Sequence, residues 1–314
     1  VEIMNSSPEI DNCIFLSNQN NQNGGAINIS ETNGEIVSIT NTLFDGNSIQ
    51  TGTSNRGGAI MLGTAGSMAY VENCIFYNNS SDEMGGAINQ DNSSHLVIVQ
   101  SLFVNNTTNS SWGAGGVNSF AAMSGGYTTI INSIFSGNTN TSGSWESGVY
   151  SSNGFEIDVD HCILQSENNP AFNYGENYVL DPFINDPANG DFSLGDFSNA
   201  IGLGTDEYYN PFSDDDENMP ATDFSGAARP QPEGSNPDLG PIEHWRGEPR
   251  RYVYLVDTTG NDISGDGLIT PFKSIQKGLF EAAEFDTVEV AAGTYKGVGN
   301  KDLHFMDDDG QITR

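Results

Sequence analysis

The feature that most restricts how this chain can fold is a motif that returns along its first half. Asn12-Cys13-Ile14-Phe15, Asn18 and Gly24-Gly25-Ala26-Ile27 reappear as Asn41-Thr42-Leu43-Phe44, Asn47 and Gly57-Gly58-Ala59-Ile60. They return as Asn73-Cys74-Ile75-Phe76, Asn79 and Gly85-Gly86-Ala87-Ile88, then as Gln100-Ser101-Leu102-Phe103, Asn106 and Gly115-Gly116-Val117. A fifth copy is Asn132-Ser133-Ile134-Phe135, Asn138 and a degraded Ser147-Gly148-Val149, and a sixth fades at His161-Cys162-Ile163-Leu164. The five phenylalanines are 29, 32, 27 and 32 residues apart, so the spacing varies while the register holds, which marks a repeat architecture.

One repeat is too small to bury an apolar face. Residues 35–44 are rich in β-branched side chains, and Gly25-Ala26-Ile27-Asn28-Ile29-Ser30 forms a second short strand, with Asn33-Gly34 as a turn between them. No helical period interrupts residues 1–166. Strands of successive repeats therefore stack in parallel at about 4.8 Å per coil, and the expected fold is an all-β, right-handed parallel β-helix. The columns acquire structural tasks: a phenylalanine stack inside, an amide ladder at Asn18, Asn47, Asn79, Asn106 and Asn138, and Gly pairs where the backbone re-enters a strand. Cys13, Thr42, Cys74, Ser101, Ser133 and Cys162 share one column, so the cysteines stand coils apart and no disulfide is expected.

Charge narrows the partners. The 314 residues carry 42 acids against 10 Lys and Arg; before Arg229 there are 27 acids and one base, Arg56. Such a surface repels nucleic acid and anionic lipid and attracts cations or basic partners. Three cysteines are too few for a disulfide framework, and no apolar run is long enough to span a bilayer. The text starts in mid-repeat and stops just after a new pattern opens, as expected of a piece of a longer protein.

The Gly-Gly-Ala-Ile and Phe-x-x-Asn grammar resembles the repeats of polymorphic outer-membrane proteins and the wider pectin-lyase-like β-helix superfamily, over residues 1–166. The resemblance implies a secreted or surface-displayed bacterial protein, and adhesive roles occur among the outer-membrane members. Between each corner Asn and the following Gly pair the loops differ in length: 19–23, 48–56, 80–84, 107–114 and 139–146. They emerge along one edge of a coil stack, where solenoids place binding. Trp112 and Trp145 lie there in neighbouring coils. Either the pair stacks on sugar rings, which makes them the candidate ligand-binding residues, or each indole folds over its own loop. Sequons at Asn28, Asn79, Asn92 and Asn109 are no more than this Asn-rich text produces by chance.

From Asp181 the pattern changes. Asp181-Pro182-Phe183-Ile184-Asn185-Asp186-Pro187, Ser198-Asn199-Ala200-Ile201-Gly202, Thr222-Asp223-Phe224-Ser225-Gly226-Ala227-Ala228-Arg229-Pro230 and Asp238-Leu239-Gly240-Pro241-Ile242-Glu243 follow in turn. The succession resembles the choice-of-anchor Q module that closes bacterial surface β-helices, with Gly202 where that family usually has Asp. It is expected to fold irregularly over the last coil and hide its open strand edge. Ser213-Asp214-Asp215-Asp216-Glu217-Asn218 offers oxygen ligands for Ca²⁺, against a solvated acidic loop; no other cofactor is indicated. Residues 252–295 are similar to the opening of pectin-lyase-like β-helices: a strand, the turn Gly260-Asn261-Asp262, a helix, then a coil. Thr270 as N-cap, Pro271 in the first turn and Phe272, Ile275, Leu279 and Ala283 on one face define that helix. The expected organisation is a β-helix of about six coils over 1–180, a closing module over 181–246 and the start of a second β-helix over 247–314.

Superfamily resemblance keeps a polysaccharide lyase or glycoside hydrolase as the alternative. A lyase needs a base and cations against a uronate, and Arg56 is the sole candidate in the first β-helix. It is expected exposed and loosely paired with Asp82 or Glu83, a contact worth under about 1 kcal/mol. Hydrolysis needs paired carboxylates; Asp158 and Asp160 share a strand face, while His161 has no evident acid–base partner and His95 opens a strand. The preferred reading is a cell-surface structural or adhesive protein whose partners are glycans or other surface proteins.

Overall fold

The computed structural model describes residues 1–49, 56–63, 66–91, 93–109, 113–120, 125–141, 148–152, 156–165, 172–282, 286–301, 303, 305–306 and 312–313. The chain divides into two units, Val1–Pro249 and Arg250–Arg314.

The first unit is a parallel β-solenoid. Each turn visits four sheets in the same order. The first sheet holds Glu2–Met4, Ile27–Ser30, Ile60–Leu62, Ile88–Asp91, Val117–Phe120 and Val149–Ser152, which bound five complete turns. The second runs from Glu9–Asp11 through Ile36–Thr40, Met68–Glu72, His95–Val99, Tyr127–Ile131 and Glu156–Asp160 to Phe172–Tyr174. The third runs from Ile14–Leu16 to Asn177–Tyr178, and a narrow fourth holds the two-residue strands from Gln19–Asn20 to Thr139–Asn140.

The repeat columns are the coil-to-coil register. Phe15, Phe44, Phe76, Phe103 and Phe135 pair in sequence, and their rings stack with centroids 4.7 to 5.0 Å apart and planes within 5°. Around them Ile27, Ile60, Ile88, Val117 and Val149 of the first sheet and Val37, Ala69, Leu96 and Ile157 of the second complete one continuous core. In the amide ladder, Asn79 Oδ1 accepts from both the backbone N–H and Nδ2 of Asn47, at 2.9 Å each, while Asn79 Nδ2 donates to Phe44 O. The same bonds join Asn18 to Asn47, Asn79 to Asn106 and Asn106 to Asn138, and the Gln165 amide ends the series by accepting from Asn138. A side chain at Gly58 would put Cβ 2.0 Å from the Gly86 carbonyl of the next coil, so only glycine lets the coils approach there. In the cysteine column the backbone N–H of Cys74 bonds Ser101 Oγ and that of Ser133 bonds Cys162 Sγ, and all three cysteines are free.

Three expectations change. Residues 35–44 form two strands, Ile36–Thr40 and Leu43–Asp45, because Asn41 turns the chain at φ 48°. Asn12, Asn73, Gln100, Asn132 and His161 occupy the same left-handed corner in their own turns, at φ between 47° and 51°. Asparagine tolerates that conformation best among side-chain-bearing residues, which gives the first residue of the motif its task.

The second change concerns the closing module. It runs along the side of the solenoid. The third sheet presents Ile75, Leu102, Val104, Ile134 and Ile163 outward, and these are buried under Phe192, Leu194, Ala200, Ile201 and Leu239. Outward aliphatics on most turns make a lateral stripe far larger than one end, and burying it is worth more than covering the last edge.

The third lies in the second unit, where Val253–Val256 pairs parallel with Thr287–Val290 across a short helix, Ile275–Glu281. The helix starts four residues later than expected: Ser274 is the N-cap, accepting from Lys277 N. Thr270 lies in a bend instead and Phe272 in an isolated parallel bridge, since Phe272 exchanges backbone bonds with the strand through Leu255 O and Asp257 N. Gly260-Asn261-Asp262 is a turn, and Asp262 Oδ1 accepts from Lys273 N and Ser274 N at the helix entry. Ala283 lies outside the described residues.

Candidate functional site

Three residues of the left-handed corner column between the second and third sheets turn their amides towards the closing module. Asn73 Oδ1 accepts from Arg229 Nη1 at 2.7 Å, and its Nδ2 donates to Thr222 O at 2.9 Å. One turn on, the Gln100 amide nitrogen donates to the carbonyls of Asp238 and Gly240. A further turn on, Asn132 exchanges two bonds with the Thr205 backbone and its own carbonyl accepts from Gly240 N. The module thus reads three consecutive corners as a ladder of hydrogen-bonding groups.

The charged residues of the closing motif hold this arrangement. Arg229 Nε donates to Glu243 Oε1 at 2.7 Å, with the two side chains 1% and 0% exposed. Glu243 also accepts from the backbone of Asp238 and Gln231, and Asp223 accepts from Ser225, Ala227 and Glu243. Asp238 accepts from Gly202 N and His244 N. Burial, reinforced by the neighbouring Glu243 charge, pushes the Asp238 carboxyl up to about 8. Gly202 stands at φ 70°, and a Cβ there would lie 2.4 Å from Gly247 O, so this position calls for glycine on steric grounds.

Beyond this latch of corner hydrogen bonds and the buried Arg229–Glu243 pair, the hairpin Glu207–Asn210 and Asp215–Asn218 lies on the outer surface of the second sheet, where Tyr208 and Met219 pack on Val97, Val99 and Ile131. Between hairpin and sheet is an open cleft of about 340 Å³, lined by Ile36, Ser38, Tyr70, Asn210, Phe212, Ser213 and Glu217. A chain of three hydrogen bonds crosses its floor: Glu72 Oε2 to Tyr70 OH at 2.7 Å, Tyr70 OH to Tyr208 OH at 2.9 Å, and Tyr208 OH to Glu217 Oε2 at 3.2 Å. Two hydroxyls supply only two protons for three bonds, so the chain is complete when one carboxyl is protonated. The environments select which. Burial raises Glu72, whereas Glu217, less deeply placed, is lowered because hydrogen bonds from Asn210, Ser213 and Tyr208 outweigh its burial. Of the two, Glu217 is the carboxyl whose surroundings favour the ionised form, and it lines the cleft.

The residues singled out from sequence have varied positions. Trp112 and Trp145 lie outside the described residues. The described tryptophan, Trp245, is exposed and carries the Arg246 guanidinium 4.3 Å from its ring centroid. Arg56 departs from expectation: its side chain is 19% exposed and bonds Asp91 Oδ2 through Nη1 at 2.7 Å. Glu83 is 3.5 Å from Nε, as the pairing expected, and the Phe120 ring lies beneath at 5.0 Å to the centroid. Asp91 was missed because it belongs to a strand of the next turn, 35 residues on. Its other oxygen accepts from Asn89, itself bonded to Asn118, so Arg56 closes a buried polar row on the outer side of the first sheet.

His161 has two carboxylates near it, the adjacent Asp160 and Glu176 from 15 residues on. Its Nδ1 is 3.0 Å from Asp160 Oδ1, without hydrogen-bond geometry, and its Nε2 is 3.8 Å from Glu176. Asp160 meanwhile accepts from the His161 and Glu176 backbone. His95 is half-buried against Tyr127, ring centroids 4.3 Å apart, and burial lowers it. In the acidic loop, Asp214 accepts from Tyr209 OH, Asp215 from Asp216 N and Glu217 from Ser213, so its carboxylates serve separate local bonds. Among the described residues no three His, Cys, Asp or Glu side chains gather as a metal site. In comparisons with known proteins, no family model, no curated protein and no solved structure matches this chain.

Proposed function

We propose that the chain is part of a secreted, cell-surface bacterial β-solenoid, a structural stalk that adheres to glycans or other surface proteins through its variable-loop edge. The observation that carries this reading is the separation of duties within each turn. The Phe stack, the Asn ladder and the Gly pairs fix the coil register through the core and backbone. The loops between corner Asn and Gly pair differ in length without disturbing that register. A scaffold that tolerates variation along one edge suits recognition by that edge. The likeness of the repeats to polymorphic outer-membrane proteins, and of residues 170–245 to the choice-of-anchor Q module, supports the same placement. Arg56, bonded to Asp91 and near Glu83, closes a buried polar row, a structural task in place of the proton abstraction a lyase requires.

The test is a glycan panel probed with the native chain and with the double variant Trp112→Ala, Trp145→Ala. Loss of binding with an unchanged thermal midpoint supports the adhesive edge. A lowered midpoint with undiminished binding assigns the indoles to covering their own loops and sinks it.

A further inference from the structure

The cleft between the second sheet and the hairpin has a chemistry of its own, independent of the loop edge. Glu217 takes three hydrogen bonds on its two oxygens and makes none as a donor, an arrangement that favours the ionised carboxylate. Its donors are all neutral: Tyr208 OH, Asn210 Nδ2 at 2.9 Å and Ser213 Oγ at 2.7 Å. No Lys or Arg lies within ion-pair distance of it among the described residues, and the sequence supplies none between Arg56 and Arg229. Both flanking arginines are already engaged, Arg56 with Asp91 and Arg229 with Glu243. A half-buried carboxylate thus faces the cleft with its charge uncompensated from within.

The walls favour one class of ligand. Tyr70 has its hydroxyl committed to Glu72 and Tyr208, which leaves its ring as its contribution, and Phe212 and Ile36 add apolar surface. Aromatic rings beside a carboxylate attract a cation with an organic skirt, the ring quadrupole and the carboxylate acting in the same direction. A volume of about 340 Å³ holds a small group but not an extended chain. A uronate, sulfate or phosphate would meet Glu217 with nothing to offset the repulsion. The formal charge of −32 draws cations towards the whole molecule.

We propose that this cleft binds an organic cation, an ammonium or guanidinium group presented either by a small amine or by a Lys or Arg side chain of a partner protein. Glu217 pairs the charge, Tyr70 and Phe212 cover its alkyl or planar face, and the Ser38 and Ser213 hydroxyls accept remaining N–H groups. The test titrates the full chain with choline, with Nα-acetyl-lysine amide, with a lysine-bearing peptide and with methyl glucoside as neutral comparison. Binding is followed by calorimetry and by chemical shifts at the cleft. Saturable binding of the ammonium probes is expected, weakened tenfold or more by Glu217→Gln, which keeps a carbonyl acceptor for Tyr208 and Asn210. Phe212→Leu should weaken the same probes while leaving the fold intact, and Glu233→Gln, at an exposed acid of the same module, should change nothing. Saturation by choline assigns the site to free amines; saturation by the peptide alone assigns it to a partner's side chain. Undiminished binding by Glu217→Gln, methyl glucoside binding in preference to the amines, or no saturable binding overturns the proposal. The Trp112 and Trp145 variants keep this binding, so failure here is separable from failure at the loop edge.

Discussion

Single asparagines do two different jobs in this molecule, distinguished by where the chain turns. The corner residues Asn41 and Asn73 are chosen for a positive φ, and their amides remain free to bond outward. The ladder residues are buried and bond inward. Asn106 is 0% exposed; its Oδ1 takes two donors from Asn79, and its Nδ2 donates to Phe76 O and Asn138 Oδ1. Asn106→Ala would orphan both Asn79 donors and the Phe76 carbonyl in a site that water does not reach. At about 1 kcal/mol or more for each of these three buried groups left unpaired, a loss of at least about 3 kcal/mol is expected in urea unfolding. Asn18→Ala, at the exposed end of the same ladder, should cost about 1 kcal/mol, the net worth of an ordinary hydrogen bond. Equal losses at the two sites would show that the ladder does not act through burial.

At the scale of elements, the latch between module and corner column is where charge matters most. Asp238 binds a proton far more readily folded than unfolded, its carboxyl being raised from 3.8 to about 8. The folded form therefore holds the extra proton between those values, so stability is fullest below the lower one and declines as pH rises through about 8. Unfolding midpoints should fall from pH 6 to pH 9, and Asp238→Asn should flatten that fall relative to the native chain. A midpoint constant across the range in the native chain would refute the assignment. The sequence made much of this element legible and concealed the rest for a physical reason. Repeat columns lie in register, so the Phe stack and the Asn ladder follow from alignment alone. The latch joins Asn73 to Arg229 across 156 residues and the cleft joins Tyr70 to Tyr208 across 138, separations that no periodicity relates. The outward aliphatics Ile75, Leu102 and Ile134 were the available signal: they precede each inward phenylalanine, and an apolar residue on the outside of a coil needs a cover. For the helix of the second unit, Thr270 and Pro271 carried a proper start signal, but pairing of Phe272 with the Leu255 strand overrode it.

For the first unit as a whole, the solenoid and the closing module are two layers of one folded body. The inner layer has its own core, built around the phenylalanine stack. The outer surface of its third sheet is apolar along Leu43, Ile75, Leu102, Val104, Ile134 and Ile163, and its second sheet adds Val97, Val99 and Ile131. With the module removed, these side chains would form a contiguous patch running along several turns, flat and edged by polar corners. Exposed apolar area of that kind drives association, because each buried CH₂ returns about 0.8 kcal/mol. A chain shortened to residues 1–180 should therefore keep its far-ultraviolet β signature, since the ladder and stack are internal to it. It should also bind an apolar dye strongly and sediment as an oligomer. Leu102→Ser combined with Ile134→Ser in the shortened chain should return it towards the monomer, while the same pair in the longer chain should loosen the module and raise dye binding. A shortened chain that stays monomeric and dark to the dye would mean that the lateral stripe does not need its cover.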